Sequence, residues 1–249
     1  IGAGVTVAHA LGGNQTKEVH RTVHTALPTA IIGGVVLSVV GVLFSETFLI
    51  MMKTPENVLP LSAKYMRIYF CGMTFTMVYN FCASILRAAG DTKSPLIFLM
   101  IAGVINVLLN IFFVVVFGMT VDGVALATII SQAISAVLVV IALMRRTDAC
   151  KLSLNQMRFY KQPFFKIIRI GLPAGIQSSM FAISNVIVQS SINSFGTTVM
   201  AGNSAAMNIE GFVYVAMNTF YQASISFTSQ NLGAGRYDRL NRILLNAEL

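Results

Sequence analysis

Pro95-Leu-Ile-Phe-Leu-Met-Ile-Ala-Gly-Val-Ile-Asn-Val-Leu-Leu-Asn-Ile-Phe-Phe-Val-Val-Val-Phe-Gly118 carries no charge, and its only polar side chains are two amides, Asn106 and Asn110. A helix needs roughly 20 such residues to cross the hydrocarbon layer of a bilayer. Five more long apolar stretches lie at about 29–52, 65–86, 122–144, 168–194 and 199–232. None alternates apolar with polar in the manner of a barrel strand. An open strand in lipid would leave its backbone groups unpaired, so each stretch is expected to be a helix. The fold class that follows is an all-α, polytopic membrane helical bundle with six complete transmembrane helices.

Composition agrees. Only 10% of the 249 residues are charged and mean hydropathy is +0.75, against about 25% charged residues in a soluble domain. The net charge of +8 would point to nucleic acid in a soluble protein. Here Lys and Arg fill the short connections, so anionic headgroups of membrane lipids are the expected partner and nucleic acid is not. The three cysteines, Cys71, Cys82 and Cys150, form neither a metal-ligand spacing nor an even set for disulfides.

The basic residues also orient the chain. Fourteen of the 17 Lys and Arg fall near 12–28, 87–95, 145–169 and 233–242, and only Lys53, Lys64 and Arg67 fall on the other side. Basic connections stay in the cytoplasm, which places the first set there. Between the fourth and fifth stretches, Phe159, Tyr160, Phe164 and Phe165 alternate with Lys161, Lys166 and Arg169. That composition predicts a helix lying in the membrane interface over 147–169. In the 87–95 connection, Gly90 is expected to end a helix, with Ser94 capping the next and Pro95 at its first position. Gly171 and Pro173 predict a kink or a helix start.

Ala10-Leu-Gly-Gly-Asn-Gln-Thr-Lys-Glu-Val-His-Arg21 can be laid over Asn231-Leu-Gly-Ala-Gly-Arg-Tyr-Asp-Arg-Leu-Asn-Arg242. Leu, Gly and the final Arg coincide, which predicts a parallel repeat of one six-helix unit. Ile1 to Ala8 reads as the tail of a helix already under way, and Leu249 falls inside another helical pattern, so a piece of a longer chain is expected.

Several polar groups sit inside the apolar stretches. Asn106 and Asn110 are four residues apart on one helix face. In the 168–194 stretch, Gln177, Ser178, Asn185, Gln189 and Asn193 are the polar candidates, and Ser178, Asn185, Gln189 and Asn193 fall on one stripe. In the last stretch Asn203, Met207, Glu210, Tyr214, Met217, Asn218, Tyr221 and Gln222 follow near-helical offsets, and Glu210 is its only carboxylate. Met repacks around varied shapes and aromatic rings attract cations, so this face suits amphipathic cations. His20 and His24 have the spacing of a helical metal pair but no third ligand nearby, and read as a solvated face. Gly233-Ala-Gly235 lacks the Lys and Ser/Thr of a phosphate cradle, so neither ATP nor another cofactor is expected.

Taken in order, four motifs resemble the MATE (multidrug and toxic compound extrusion) exporters. They are Val7-Ala-His-Ala-Leu-Gly-Gly13, Leu86-Arg-Ala-Ala-Gly-Asp-Thr-Lys-Ser-Pro95, Ile105-Asn-Val-Leu-Leu-Asn110 with Val121-Asp-Gly-Val-Ala-Leu-Ala-Thr128, and Gly171-Leu-Pro-Ala-Gly175 leading to Ser229-Gln-Asn-Leu-Gly-Ala-Gly235. The resemblance implies two six-helix lobes around a cavity, with this chain running from the end of the second span to just past the eighth. Residues 1–146 would be an incomplete N-lobe, 147–169 a cytoplasmic linker and 170–249 the start of the C-lobe. It further implies an N-lobe cation site at Asn106, Asn110 and Thr128, although many relatives carry aspartate where this chain has Asn110. The implied activity is antiport in the cell inner membrane, exporting amphipathic, cationic small molecules against Na+ or H+. The alternative, a flippase of lipid-linked saccharides, would need a basic cavity, and no Lys or Arg lies at the centre of any span. An intramembrane enzyme would need a nucleophile–base or metal cluster, and the sequence offers none.

Overall fold

The structure, a computed structural model, describes residues 1–51, 59–193 and 197–248. Lys53 and the rest of the 52–58 connection lie outside the described residues, as does the side chain of Asn193. Among the described residues every regular element is helical. The chain divides into two compact units, residues 16–164 and residues 1–15 with 165–249.

In the first unit α2 (Thr16–Met51), α3 (Leu59–Cys71), α4 (Met73–Ala88), α5 (Lys93–Ile111) and α6 (Val121–Arg145) form a bundle. α2 packs on α3 and α4, and α6 packs on α3, α4 and α5. α2, α6 and α5 with its continuation to Val116 are long and apolar enough to cross a membrane. The stretch expected as one span over 65–86 is broken at Gly72 into α3 and α4, bent by 46°. A Cβ at Gly72 would come within 2.6 Å of Ile129 on α6, so the missing side chain lets the elbow pack there. Glycines on α2 act similarly: a Cβ on Gly34 would reach 2.6 Å from Thr74 Cα, and one on Gly41 would overlap the Phe70 ring.

α2 is a single helix of 36 residues that runs through Pro28, roughly 54 Å long, so its first turns extend past the hydrocarbon layer. One local expectation is corrected. Ser94 does not cap α5. The helix starts at Lys93, and Asp91 accepts from both the Ser94 amide (3.0 Å) and hydroxyl (2.7 Å). Pro95 still sits in the first turn, where its missing N–H costs nothing. Gly90 takes the left-handed conformation expected of it, φ +86°. At its far end α5 widens into a π-helical segment, Phe112–Val116, closed by Gly118 at φ +62°.

Ion pairs sort the connections of this unit into two ends. Arg146 pairs with Asp148 and lies 3.8 Å from Asp91, joining the end of α6 to the 89–92 turn. At the opposite end Lys64 bonds Asp122 at 2.7 Å and Arg67 bonds Glu46 at 2.7 Å. The two described basic residues of the sparse side are therefore each neutralised, which sharpens the charge asymmetry read from the sequence.

The stretch 147–169 is not a separate interfacial helix. After α6 the chain is irregular, with one short 3₁₀ turn at Leu154–Gln156, until α7 begins at Lys161. α7 then runs unbroken to Asn193, so Pro173 does not start a helix. The reason for the irregular path is a set of long-range bonds. His24 is buried; its Nδ1 donates to the His20 carbonyl (2.8 Å), and its Nε2 accepts from the Ser153 amide (3.1 Å). The solvated histidine face read from the sequence is thus overturned at His24. Thr25 Oγ accepts from the Tyr160 amide at 3.2 Å, and His20 bonds Gln156 at 3.1 Å.

The second unit holds α1 (Gly2–Gly12), most of α7 (Lys161–Asn193), α8 (Thr197–Gly233) and α9 (Leu240–Glu248). α7 is apolar enough to span, and α8 is slightly longer. α1 packs on α8. A Cβ on Gly12 would overlap the Gln230 carbonyl, and a Cβ on Gly233 would overlap the His9 carbonyl. The two contacts are the same contact: adding 221 to 9 and 12 gives 230 and 233. The turns that follow match as well. Gly13, Asn14 and Gln15 amides donate to His9, Leu11 and Ala10, and Ala234, Gly235 and Arg236 amides donate to Gln230, Leu232 and Asn231. Asn14 and Gly235 both take positive φ, 54° and 67°. The weak repeat in sequence is a repeat in backbone geometry, and the two copies cross each other.

Candidate cation site and cavity-lining residues

α5 and α6 bring three expected residues together and add a fourth. Asn110 Nδ2 donates to Asn106 Oδ1 at 3.0 Å. Asn106 Nδ2 reaches Thr128 Oγ at 3.5 Å and Ser131 Oγ at 3.4 Å. Both hydroxyls donate onward to backbone carbonyls of α6, Thr128 to Val124 (2.9 Å) and Ser131 to Thr128 (2.8 Å). One buried acceptor of this chain is left over: Asn110 Oδ1 has no partner. An unsatisfied carbonyl in an apolar bundle is costly, and groups of this kind in a membrane point to function. Ser131 was missed in the sequence, yet it lies three residues from Thr128 on the same face and could have been read there.

The polar stripes of α7 and α8 separate into two groups. Gln177 and Ser178 of α7 face Tyr214 and Asn218 of α8 across a cavity of about 480 Å³. Phe181, Met217, Tyr221, Gln222, Ala174 and Ile1 complete its wall. The size is within the range of small-molecule sites, and the mix of aromatic, thioether and amide groups carries no formal charge. Farther along, Asn203 Nδ2 donates to Gln189 Oε1 (3.2 Å), a bond between the helices, and to Met207 Sδ (3.4 Å) within α8. Asn185 and Glu210 are exposed and belong to neither group. Phe181 was not among the candidates, though it lies one turn from Gln177 and Ser178. Among the described residues no three His, Cys, Asp or Glu side chains gather to hold a metal.

Comparison with known proteins follows the same lines. The sequence matches the family MatE over residues 1–112 and 173–247. It is 29% identical over 250 residues to the "Probable multidrug resistance protein YoeA" of Bacillus subtilis, covering 98% of this chain and 54% of that one. It is 33% identical over 200 residues to the "Probable multidrug resistance protein YpnP" of the same organism, covering 80% and 44%. The "FAD transporter" of Shewanella oneidensis is 24% identical over 254 residues, with 98% and 56% covered. Among solved structures, "Crystal structure of MATE in the bent conformation" superposes with a TM-score of 0.87 at 20% identity, covering 99% of this chain and 55% of that one. The chain thus spans about half the length of the relatives it matches. Its fold is that of a multi-pass, all-α membrane bundle, and the chain belongs to the MatE family of transporters.

Proposed function

We propose that the protein exports amphipathic, cationic small molecules in exchange for Na+ or H+ by alternating access, with lobe boundaries at 1–146, 147–169 and 170–249. The observation that carries this reading is the unpartnered Asn110 Oδ1 at the end of the amide–hydroxyl chain. Asn110, Asn106, Thr128 and Ser131 present neutral oxygens only, a set that suits a hard monovalent cation and offers no group to take up a proton near neutral pH. Na+ is therefore the ion the N-lobe residues favour. The uncharged cavity of Gln177, Ser178, Tyr214 and Asn218 supports a substrate held by ring faces and amides. No basic side chain lines it, which leaves the flippase alternative without support.

The test is ion dependence of efflux. In whole cells, Asn110→Ala removes the orphan acceptor and the bond to Asn106 together. Na+ stimulation of ethidium efflux should fall roughly ten-fold or more, the loss of one good ligand to a buried ion. Unchanged Na+ dependence at normal membrane levels returns the cluster to a purely structural role.

Glu210 carries a second, separable expectation. It is the one carboxylate inside the apolar stretch of α8 and lies one turn from Tyr214. Glu210→Gln keeps the shape and removes the charge. Export of cationic substrates should drop while export of neutral ones persists. Equal export of both classes by the variant makes Glu210 a packing or vestibule residue.

A further inference from the structure

A second cavity, of about 370 Å³, lies in the first unit, bounded by Thr16, Lys17, His20 and Arg21 of α2 and by Asp148, Ala149 and Tyr160 of the connection after α6. Its walls are fixed. The His20 ring stacks on His24 at 3.9 Å, and the Arg21 guanidinium sits 5.6 Å from the Tyr160 ring centre. The Tyr160 backbone is tied to Thr25, and Ser153 to buried His24. Of the charges on the wall, the one carboxylate is already answered. Arg146 Nε donates to both oxygens of Asp148 at 3.0 Å, and that pairing holds the Asp148 carboxyl below its ordinary value. Lys17 and Arg21, one turn apart, set the sign of the cavity, which is positive.

The surroundings point the same way. The connection that closes the cavity also exposes Leu154, Met157 and Phe159. Apolar side chains next to a basic hollow, at the end of the bundle that holds the basic connections, describe a surface at the level of lipid headgroups. The transport site offers nothing comparable, since its lining carries no formal charge.

We propose that this cavity binds the phosphate group of an anionic ligand, with an acidic phospholipid of the cytoplasmic leaflet as one source and a free phosphate compound as the other. Lys17 and Arg21 supply the charge, and Tyr160 holds Arg21 in place as a positioning residue. Arg presents paired donors that match phosphate oxygens, and Lys adds a point charge. The site is independent of the transport reading: an Asn110 variant that loses ion coupling should keep it.

The experiment titrates the protein, purified in a neutral detergent, with dioctanoyl phosphatidylglycerol, dioctanoyl phosphatidylcholine and inorganic phosphate, counting bound ligand by native mass spectrometry. The double variant K17Q/R21Q should bind phosphatidylglycerol roughly thirty-fold more weakly than the parent, at about the strength expected for two headgroup-level charges. Y160A should lose roughly three-fold, because Arg21 is no longer held. R236Q/R239Q removes two positive charges elsewhere and should change nothing. Phosphatidylglycerol binding well above that of inorganic phosphate identifies the lipid as the source. Equal binding of the two, lost together in K17Q/R21Q, identifies a free phosphate compound. Parent-like binding by K17Q/R21Q, or equal losses in K17Q/R21Q and R236Q/R239Q, overturns the site. Lys17 and Arg21 are exposed, so the double variant should retain the parent's thermal midpoint in detergent alone.

Discussion

Gly233→Ala should destabilise the protein by about 3 kcal/mol, the upper range for forcing atoms into a packed contact. Gly12→Ala should do the same. At each position the new methyl would overlap a carbonyl oxygen of the facing helix, Gln230 for Gly12 and His9 for Gly233. A carbonyl is part of the backbone and cannot swing aside as a side-chain tip would, so α1 and α8 have to separate. Separation exposes Ala3, Val7, Ala8 and Ala10, all buried. The measurement is thermal unfolding in detergent, where a loss of this size lowers the midpoint by roughly 10 °C. Gly175→Ala and Gly211→Ala are the controls. Nothing lies within 4 Å of a Cβ at either, and helix propensity alone should leave them equal to the parent or slightly more stable. Similar losses at all four positions would mean that the crossing does not depend on close approach.

His24→Ala should free the connection between α6 and α7. The imidazole fills a fully buried site, and its loss leaves a cavity and an unsatisfied Ser153 amide, together about 3 kcal/mol. The readout is local. Cys150 is buried, and burial pushes its thiol up to about 11. Little thiolate then exists near pH 7.5, and the reagent cannot reach it. Once exposed, an ordinary thiol near 8.5 reacts far faster. Maleimide labelling at Cys150, located by peptide mass mapping, should rise roughly a hundred-fold in His24→Ala. Labelling at buried Cys82 on α4 should stay where it was. No change at Cys150 would show that the connection holds without the histidine.

These outcomes also mark where the sequence is readable. Spans are legible because a bilayer demands long apolar runs, and the Asn106/Asn110 pair is legible because helical spacing puts four-residue neighbours on one face. The elbow at Gly72 is not, since its cause is the approach of Ile129 from α6, far away in sequence. The same holds for His24: on its own helix it looks solvated, and only the return of residues 150–160 buries it. The 147–169 composition of aromatic and basic residues predicts an interfacial helix that does not form. Its backbone is drawn into bonds with α2 instead of into a helix of its own. The polar stripes of α7 and α8 were visible as stripes. Their division into a cavity group and a Gln189–Asn203–Met207 group depends on where the two helices meet.

The crossing of α1 and α8 has one more consequence. A contact made of α-carbons against carbonyl oxygens has no rotamers to rearrange and no interlocking ridges to lift over one another. Such a joint is strict about spacing: any change that brings the two axes closer meets backbone at once. The paired turns just beyond it, each built on a left-handed residue at 14 or 235, halt both helices at the same distance from the joint. The two helices are therefore registered against each other by backbone alone, and the spacing between them is set without any side chain.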